Sequence, residues 1–214
     1  TTSWGTSTRM VGGLIMGHGD DDGLVVPPVL APVQVVVLLV KDEGGAGDVA
    51  AKLRDQLLGA GVRVELDDRV ATGFGRRATD WELKGVPVRV EVGPRDLAQG
   101  LVTVVRRDTG DKQQVPLAEA AARVAALVER VQADLLEAAT ARRDAATADV
   151  TSLADAADAA QSGFARVPWA LVRGEGEADL AGQGITVRCL VTADGGLPSS
   201  EDDDDLVAVL ARAY

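Results

Sequence analysis

Residues 33–40 read Val-Gln-Val-Val-Val-Leu-Leu-Val, and this run constrains the fold more than any other stretch of the chain. It lacks the polar alternation of a strand with one wet face, so it predicts a strand buried on both faces, with helices packed above and below the sheet. Gly44-Gly45-Ala46-Gly47 then makes a loop, and Asp48 is placed to cap a helix reaching about Leu58. Val49, Leu53, Leu57 and Leu58 fall on one face of that helix. Gly59 and Gly61 end it, and Val62-Arg63-Val64-Glu65-Leu66 alternates as a half-buried strand. Strand, helix and strand of these lengths form a βαβ unit, which makes the first two strands parallel.

The same reading extends along the chain. Val86–Val92 alternates, Leu101–Arg107 is suited to pair with it, and Asp108-Thr109-Gly110 is a turn. Pro116 stands where a first helical residue would, opening a long Ala-rich helix over Leu117 to about Ala139. Residues 33–140 are therefore expected as an α/β domain, a mixed sheet with flanking helices. Aromatic residues make up only 3% of the chain, so its core must be Val, Leu and Ala. Before this domain, residues 1–32 hold two apolar stretches around the tight turn Gly19-Asp20-Asp21-Asp22-Gly23, then Pro27-Pro28 and Pro32. After it, residues 141–162 are low-complexity and alanine-rich, an exposed helix or a linker, and 163–214 form a small acidic α+β module.

Charge and cysteine narrow the function classes. The net charge of −11 argues at first against a nucleic-acid partner, but its distribution softens that: residues 62–112 hold 10 Lys/Arg and 9 Asp/Glu, whereas 119–214 hold 8 and 17. The run Glu201-Asp202-Asp203-Asp204-Asp205 reads as a solvated loop. No apolar run approaches the roughly 18 residues of a membrane span, and no secretory signal is visible, so a cytoplasmic protein without membrane partners is expected. Cys189 is the one cysteine and cannot build a disulfide or a cysteine zinc site by itself.

Two stretches carry chemistry. The first, TTSWGTSTR over residues 1–9, sets hydroxyls around a tryptophan and a glycine and ends on Arg9. It is either a surface strand or a strand that holds a nucleotide, because a guanidinium fork suits phosphate oxygens. The second comprises Asp67-Asp68-Arg69 and WELKGVPVRVEVGPRD over residues 81–96, where Glu82, Lys84, Arg89, Glu91, Arg95 and Asp96 gather around turns and one strand. Arg89 and Glu91 are two apart and share a face. These are surface ion pairs or a surface that reads unstacked bases, with carboxylates accepting from guanine N1 and N2 and arginines donating to O6 or N7. Spacing alone does not separate the two. His18 and the aspartates Asp20 to Asp22 read as turn and capping residues, and Trp81 and Trp169 as core anchors.

In this order and distance the two stretches resemble the prolyl-tRNA synthetase family of class II aminoacyl-tRNA ligases, in its archaeal/eukaryotic-like form. The resemblance runs through TTSWGTSTRMVGGLIMGHGDDDGLVVPP, LAPVQVVV, DDR, WELKGVPVRVEVGPRDL and VVRRDTGDK, covering residues 1–115 closely and the rest loosely. It implies that 1–32 is the end of the catalytic domain with an antiparallel remnant and the third signature motif, that 33–140 is the anticodon-binding domain, and that 163–214 is the C-terminal module. It also implies an ATP-dependent ligase joining proline to its tRNA, with Mg2+ accompanying ATP, in an enzyme expected to be a homodimer. Arg9 then matches the arginine on the ATP phosphates, Ser7 an ATP contact, and Trp4 and Gly5 the proline pocket. Glu82, Arg89, Arg95, Asp96 and Lys112 match positions that contact the two guanines of the proline anticodon.

Departures from the family pattern matter too. Ala78 stands where relatives have an aromatic that would stack on a base, so either the anticodon grip is weaker or Phe74 substitutes. Ala170 follows Trp169, and GLPSSEDDDD replaces the later cysteines of a four-cysteine zinc site, so no zinc is expected. The first two signature motifs are not in this chain, so by itself it is expected to be inactive. The alternative is a free-standing tRNA anticodon-binding accessory protein without catalysis.

Overall fold

The computed structural model describes residues 5–213, and the chain separates into two units, Thr1–Leu136 and Glu137–Tyr214. Trp4 and Tyr214 lie outside the described residues. The first unit begins with helix α1 (Arg9–His18) and the antiparallel hairpin of β1 (Gly19–Asp20) and β2 (Gly23–Leu24). In the described part of the opening segment the expected strand is not found: residues 5–8 are irregular, and Arg9 is the first residue of α1. The reason is spacing, since Met10 and Leu14, and Val11 and Ile15, are each four apart and share a helical face. No residue of α1 is buried, and Met10 and Met16 are 68% and 81% exposed. The aspartate turn sits where expected, with Asp20 Oδ1 accepting from the Asp22 amide at 2.9 Å.

The valine run becomes β3 (Val35–Leu39), buried at all five positions. It lies between two parallel neighbours, β4 (Val64–Asp67) and β5 (Val88–Val92), and antiparallel β6 (Leu101–Arg106) and β7 (Lys112–Pro116) complete the order β4-β3-β5-β6-β7. Helix α2 (Ala46–Gly59) links β3 to β4, α3 (Phe74–Leu83) links β4 to β5, and the short α4 (Pro94–Leu97) follows β5. The cap of α2 differs from the expectation. Gly45 holds the N-cap, Asp48 sits inside the first turn, and Asp42 Oδ1 accepts from the Gly47 amide at 3.2 Å. Pro116 likewise closes edge strand β7 instead of opening a helix, and a single 3-10 turn over Leu117–Glu119 precedes α5 (Ala120–Ala145).

The two faces of this sheet differ. On one, Val35, Val37, Val88, Val90, Val102 and Val104 pack against Leu53 and Leu57 of α2 and Val124 and Val128 of α5. Each fully buried leucine here contributes on the order of 2 kcal/mol. On the other, Ala78 and Trp81 of α3 cover Val36 and Leu38. Ala78 is 7% exposed and faces this core, so an aromatic at that position would point into protein and not toward a base. On β5, β6 and β7 the same face carries Arg89, Glu91, Thr103, Lys112 and Gln114 around Val105.

The second unit departs from the linker-then-module expectation. Residues 147–168 form another parallel βαβ unit, β8 (Thr147–Asp149), α6 (Leu153–Ala160) and β9 (Phe164–Pro168). Then follow α7 (Trp169–Val172), α8 (Glu175–Gly182), β10 (Ile185–Val191) and β11 (Val207–Arg212), in the sheet order β10-β11-β9-β8. Alanine makes this possible: Ala156, Ala157 and Ala160 let α6 lie close on Ala165, Val167, Ala208 and Leu210. The acidic run remains an exposed loop, tied by Asp202 to Arg173 at 2.5 Å.

Candidate nucleic-acid interface

Cross-strand register builds the polar face. Arg89, Val105 and Lys112 stand in one row across β5, β6 and β7, and Glu91, Thr103 and Gln114 in the next. Glu82, at the C-terminal end of α3, leans over the first row and accepts from Arg89 Nη1 at 2.7 Å. Arg89 Nε donates to Glu91 Oε1 at 3.1 Å, and Lys112 Nζ donates to Glu91 Oε2 at 2.8 Å. Glu91 is thus the strut between the two cations, and it is 6% exposed. In the second row Thr103 Oγ1 donates to Asp96 Oδ2 at 2.8 Å.

Two cavities flank this strut. One of about 320 Å³ is lined by Trp81, Glu82, Arg89, Arg107, Lys112 and Asp22. The other, about 370 Å³, is lined by Phe74, Glu91, Gly93, Arg95 and Asp96. Arg95 is exposed and makes no ion pair among the described residues. Acids and bases alternate along this face, which decides its chemistry. A phosphate would meet three carboxylates, whereas the edge of a guanine offers donors and acceptors side by side and can be matched by both signs. The alternation of charge suits base edges better than a row of backbone phosphates.

A buried network sets α3 against β4. Asp67 accepts from Trp81 Nε1 at 2.7 Å, from Arg69 Nη2 at 2.6 Å and from Arg77 Nη1 at 3.3 Å. Burial pushes the Asp67 carboxyl up, but the hydrogen bonds from Arg69, Trp81 and Arg77 outweigh that and hold it far below the usual carboxylate range.

Comparison with known proteins gives this geometry its context. Residues 34–127 match the family described as anticodon binding domain. Across its whole length the chain is 61% identical to the proline–tRNA ligase of Frankia alni and 53% identical to proline–tRNA ligase 2 of Streptomyces avermitilis. In structure, 97% of the chain superposes on prolyl-tRNA synthetase from Cryptosporidium parvum complexed with L-proline and AMP, with a TM-score of 0.79 and 30% identity. The chain corresponds to the C-terminal part of prolyl-tRNA synthetases. It covers 46% of the Frankia alni and Cryptosporidium parvum proteins, so it spans about half the length of these relatives.

Against the prolyl-tRNA synthetase pattern, the structure brings Glu82, Arg89 and Lys112 together around Glu91, and sets Arg95 and Asp96 on the adjoining cavity. Ser7 and Arg9 lie apart from these, on the segment before α1 and at its first residue; both are exposed, and the Arg9 amide lies 3.4 Å from Ser7 Oγ. Gly5 is exposed, and Trp4 is outside the described residues. Thr103, Gln114, Asp22 and Arg107 were not among the residues singled out for the site, and Glu91 stood in the charged cluster but not among the positions matched to the guanine contacts. Glu91 was within reach of the sequence, since it shares a strand face with Arg89; Asp22 and Arg107 are distant in sequence and had no such signal. One cysteine does not make the donor set of a four-cysteine zinc site, and no group of three or more metal-binding side chains occurs among the described residues. No helix among them is long and apolar enough to cross a membrane.

Proposed function

We propose that this chain supplies the anticodon-reading part of a proline–tRNA ligase, and that the two guanines of the proline anticodon lie in the cavities on either side of Glu91. The observation that carries this reading is the convergence of Glu82, Arg89, Arg95, Asp96 and Lys112, from four separate elements, on one polar sheet face. Glu82, 38% exposed, and Asp96 accept from guanine N1 and N2; Arg89, Arg95 and Lys112 donate to O6 and N7.

In the whole protein, residues 1–32 would serve the aminoacylation site, with Arg9 and Ser7 on ATP and Trp4 and Gly5 on proline. The proline carboxylate attacks the α-phosphate of ATP, which arrives with Mg2+, forming prolyl-adenylate and releasing pyrophosphate. A terminal ribose hydroxyl of the tRNA then displaces AMP. The bare apolar side of α1 supports this placement, since Met10 and Met16 are left uncovered by the described residues. The enzyme acts as a cytoplasmic homodimer in this reading.

The test is fluorescence binding of short RNA hairpins to this chain. A loop carrying U-G-G is expected to bind, and replacing either guanine by adenine to weaken binding by about tenfold or more. With ATP, proline and labelled pyrophosphate, the chain alone is expected to give no exchange. Equal affinity for all loops would overturn the base-reading function, and robust exchange would overturn the assignment of chemistry to the larger protein.

A further inference from the structure

One wall of the Glu82 cavity does not come from the sheet domain at all. Asp22, in the β1–β2 turn, lines it, and the hairpin is fastened to the end of α3 by Arg107. This arginine, 8% exposed, grips Asp20 with both arms, Nη1 to Oδ2 at 2.8 Å and Nη2 to Oδ1 at 2.5 Å. Its Nε donates to the Glu82 carbonyl at 3.2 Å, and its amide donates to the Pro87 carbonyl at 2.9 Å. A single residue therefore holds both ends of the α3–β5 connection. Backbone packing closes the joint from the other side. Gly23 has φ +126° and a Cβ there would lie 2.7 Å from Leu83 Cα; Gly85 has φ +70° and a Cβ there would lie 2.6 Å from Leu24 Cβ. Only glycine on both sides allows that approach, and the Val26 amide seals it on the Gly85 carbonyl at 3.2 Å.

From this we infer that Asp20 and Arg107 are positioning residues of the base-reading cavity, so that the hairpin ahead of the sheet domain is part of the reader. The inference rests on the proposed function of that cavity. Asp20 takes both arms of Arg107, whose side chain lines the cavity, and so fixes where that charge stands. The next carboxylates acting on Arg107 are those of Asp22 and Glu82. Without Asp20 the guanidinium turns to them, occupies the oxygen that a guanine needs, and pulls the end of α3 with it.

The experiment measures binding of U-G-G hairpins and of their single guanine-to-adenine variants to the full chain and to Asp20→Asn, Arg107→Lys and, as control, Asp21→Asn. Asp20→Asn and Arg107→Lys are expected to cut the guanine-to-adenine affinity ratio by about tenfold, the worth of one good bidentate contact. The slope of log affinity on log salt should not change, because no phosphate contact is removed. Asp21→Asn should leave both unchanged. Hydrogen exchange of β5 and β6 amides separates positioning from unfolding. A lower ratio with their protection lost, or an unchanged ratio in Asp20→Asn beside clear guanine preference in the unsubstituted chain, overturns the inference alone. No guanine preference in the unsubstituted chain overturns the function of the cavity and this inference together.

Discussion

Arg77 is fully buried, and no carboxylate faces it squarely; its guanidinium is spread over Asp67 and three carbonyls. Nε donates to Thr72 O at 3.0 Å, Nη1 to Asp67 O at 3.2 Å and Nη2 to Leu39 O at 2.8 Å. With every buried side-chain polar atom satisfied among the described residues, the arrangement is costly to disturb. Removing one charge of such a pair leaves the other stranded, so Asp67→Asn is expected to cost about 3–5 kcal/mol. Urea unfolding at neutral pH, followed through hydrogen exchange of α3 amides, measures this. The pH dependence follows from the lowered pKa of Asp67. Its carboxyl titrates below the ordinary value of 3.8 when folded, so the unfolded chain takes up its proton first as pH falls. The stability it contributes is fully present above about pH 5 and lost progressively as pH drops through 3.8 toward the folded value. Asp67→Asn should flatten that acid limb; an unchanged limb would mean that another carboxylate carries it.

At the level of elements, a glycine sets the geometry of the second unit. A Cβ on Gly163 would collide with the Ala146 carbonyl oxygen, which also accepts from the Phe164 amide at 2.8 Å. Gly163→Ala must push β9 from that carbonyl, and a destabilisation of about 1–3 kcal/mol is expected, as in other overpacked sites. Thermal unfolding of the variant should show it, with exchange in α6 and β9 rising while β3 and β5 stay protected. Elements were legible where one pattern was unopposed. Val35–Leu39 is continuously apolar, and α2 repeats Leu at helical spacing, so both stood out. Strand β7, Lys-Gln-Gln-Val-Pro, has a single buried residue and no alternation to detect; it is a strand because β6 offers it an edge. Helix α3 hides its inward face, because one of its buried residues is an arginine. Helix α6 was ambiguous because alanine alone does not tell a buried face from an exposed one. The site divides in the same way. Arg89 and Glu91 share a face by simple alternation, whereas the partnership of Arg107 with Asp20 spans a separation of 87 residues that only the fold closes.

The whole molecule carries a net charge of −11, and the acid surplus lies mainly in the second unit. Such a chain gains little from the non-specific field that draws basic proteins to nucleic acid. The polar face itself offers few unpaired cations: Arg89 is held by Glu82 and Glu91, Lys112 by Glu91, and Arg95 alone among these is without an ion pair. Under the proposed function, affinity for an anticodon loop therefore comes from base edges in the two cavities, with about two or three phosphates neutralised at most. For single strands the slope of log affinity on log salt is roughly −0.7 per phosphate neutralised, so a slope near −2 is expected. Between about 0.05 and 0.2 M salt, binding of the U-G-G hairpin should weaken roughly tenfold, against about a thousandfold or more for a protein with 6–10 phosphate contacts. Fluorescence titration across that range decides the matter. A thousandfold loss would place the binding energy on the RNA backbone, and Glu82 and Glu91 would then oppose binding. A shallow slope with guanine preference retained at the higher salt places it on the bases, where alternating charge is an advantage.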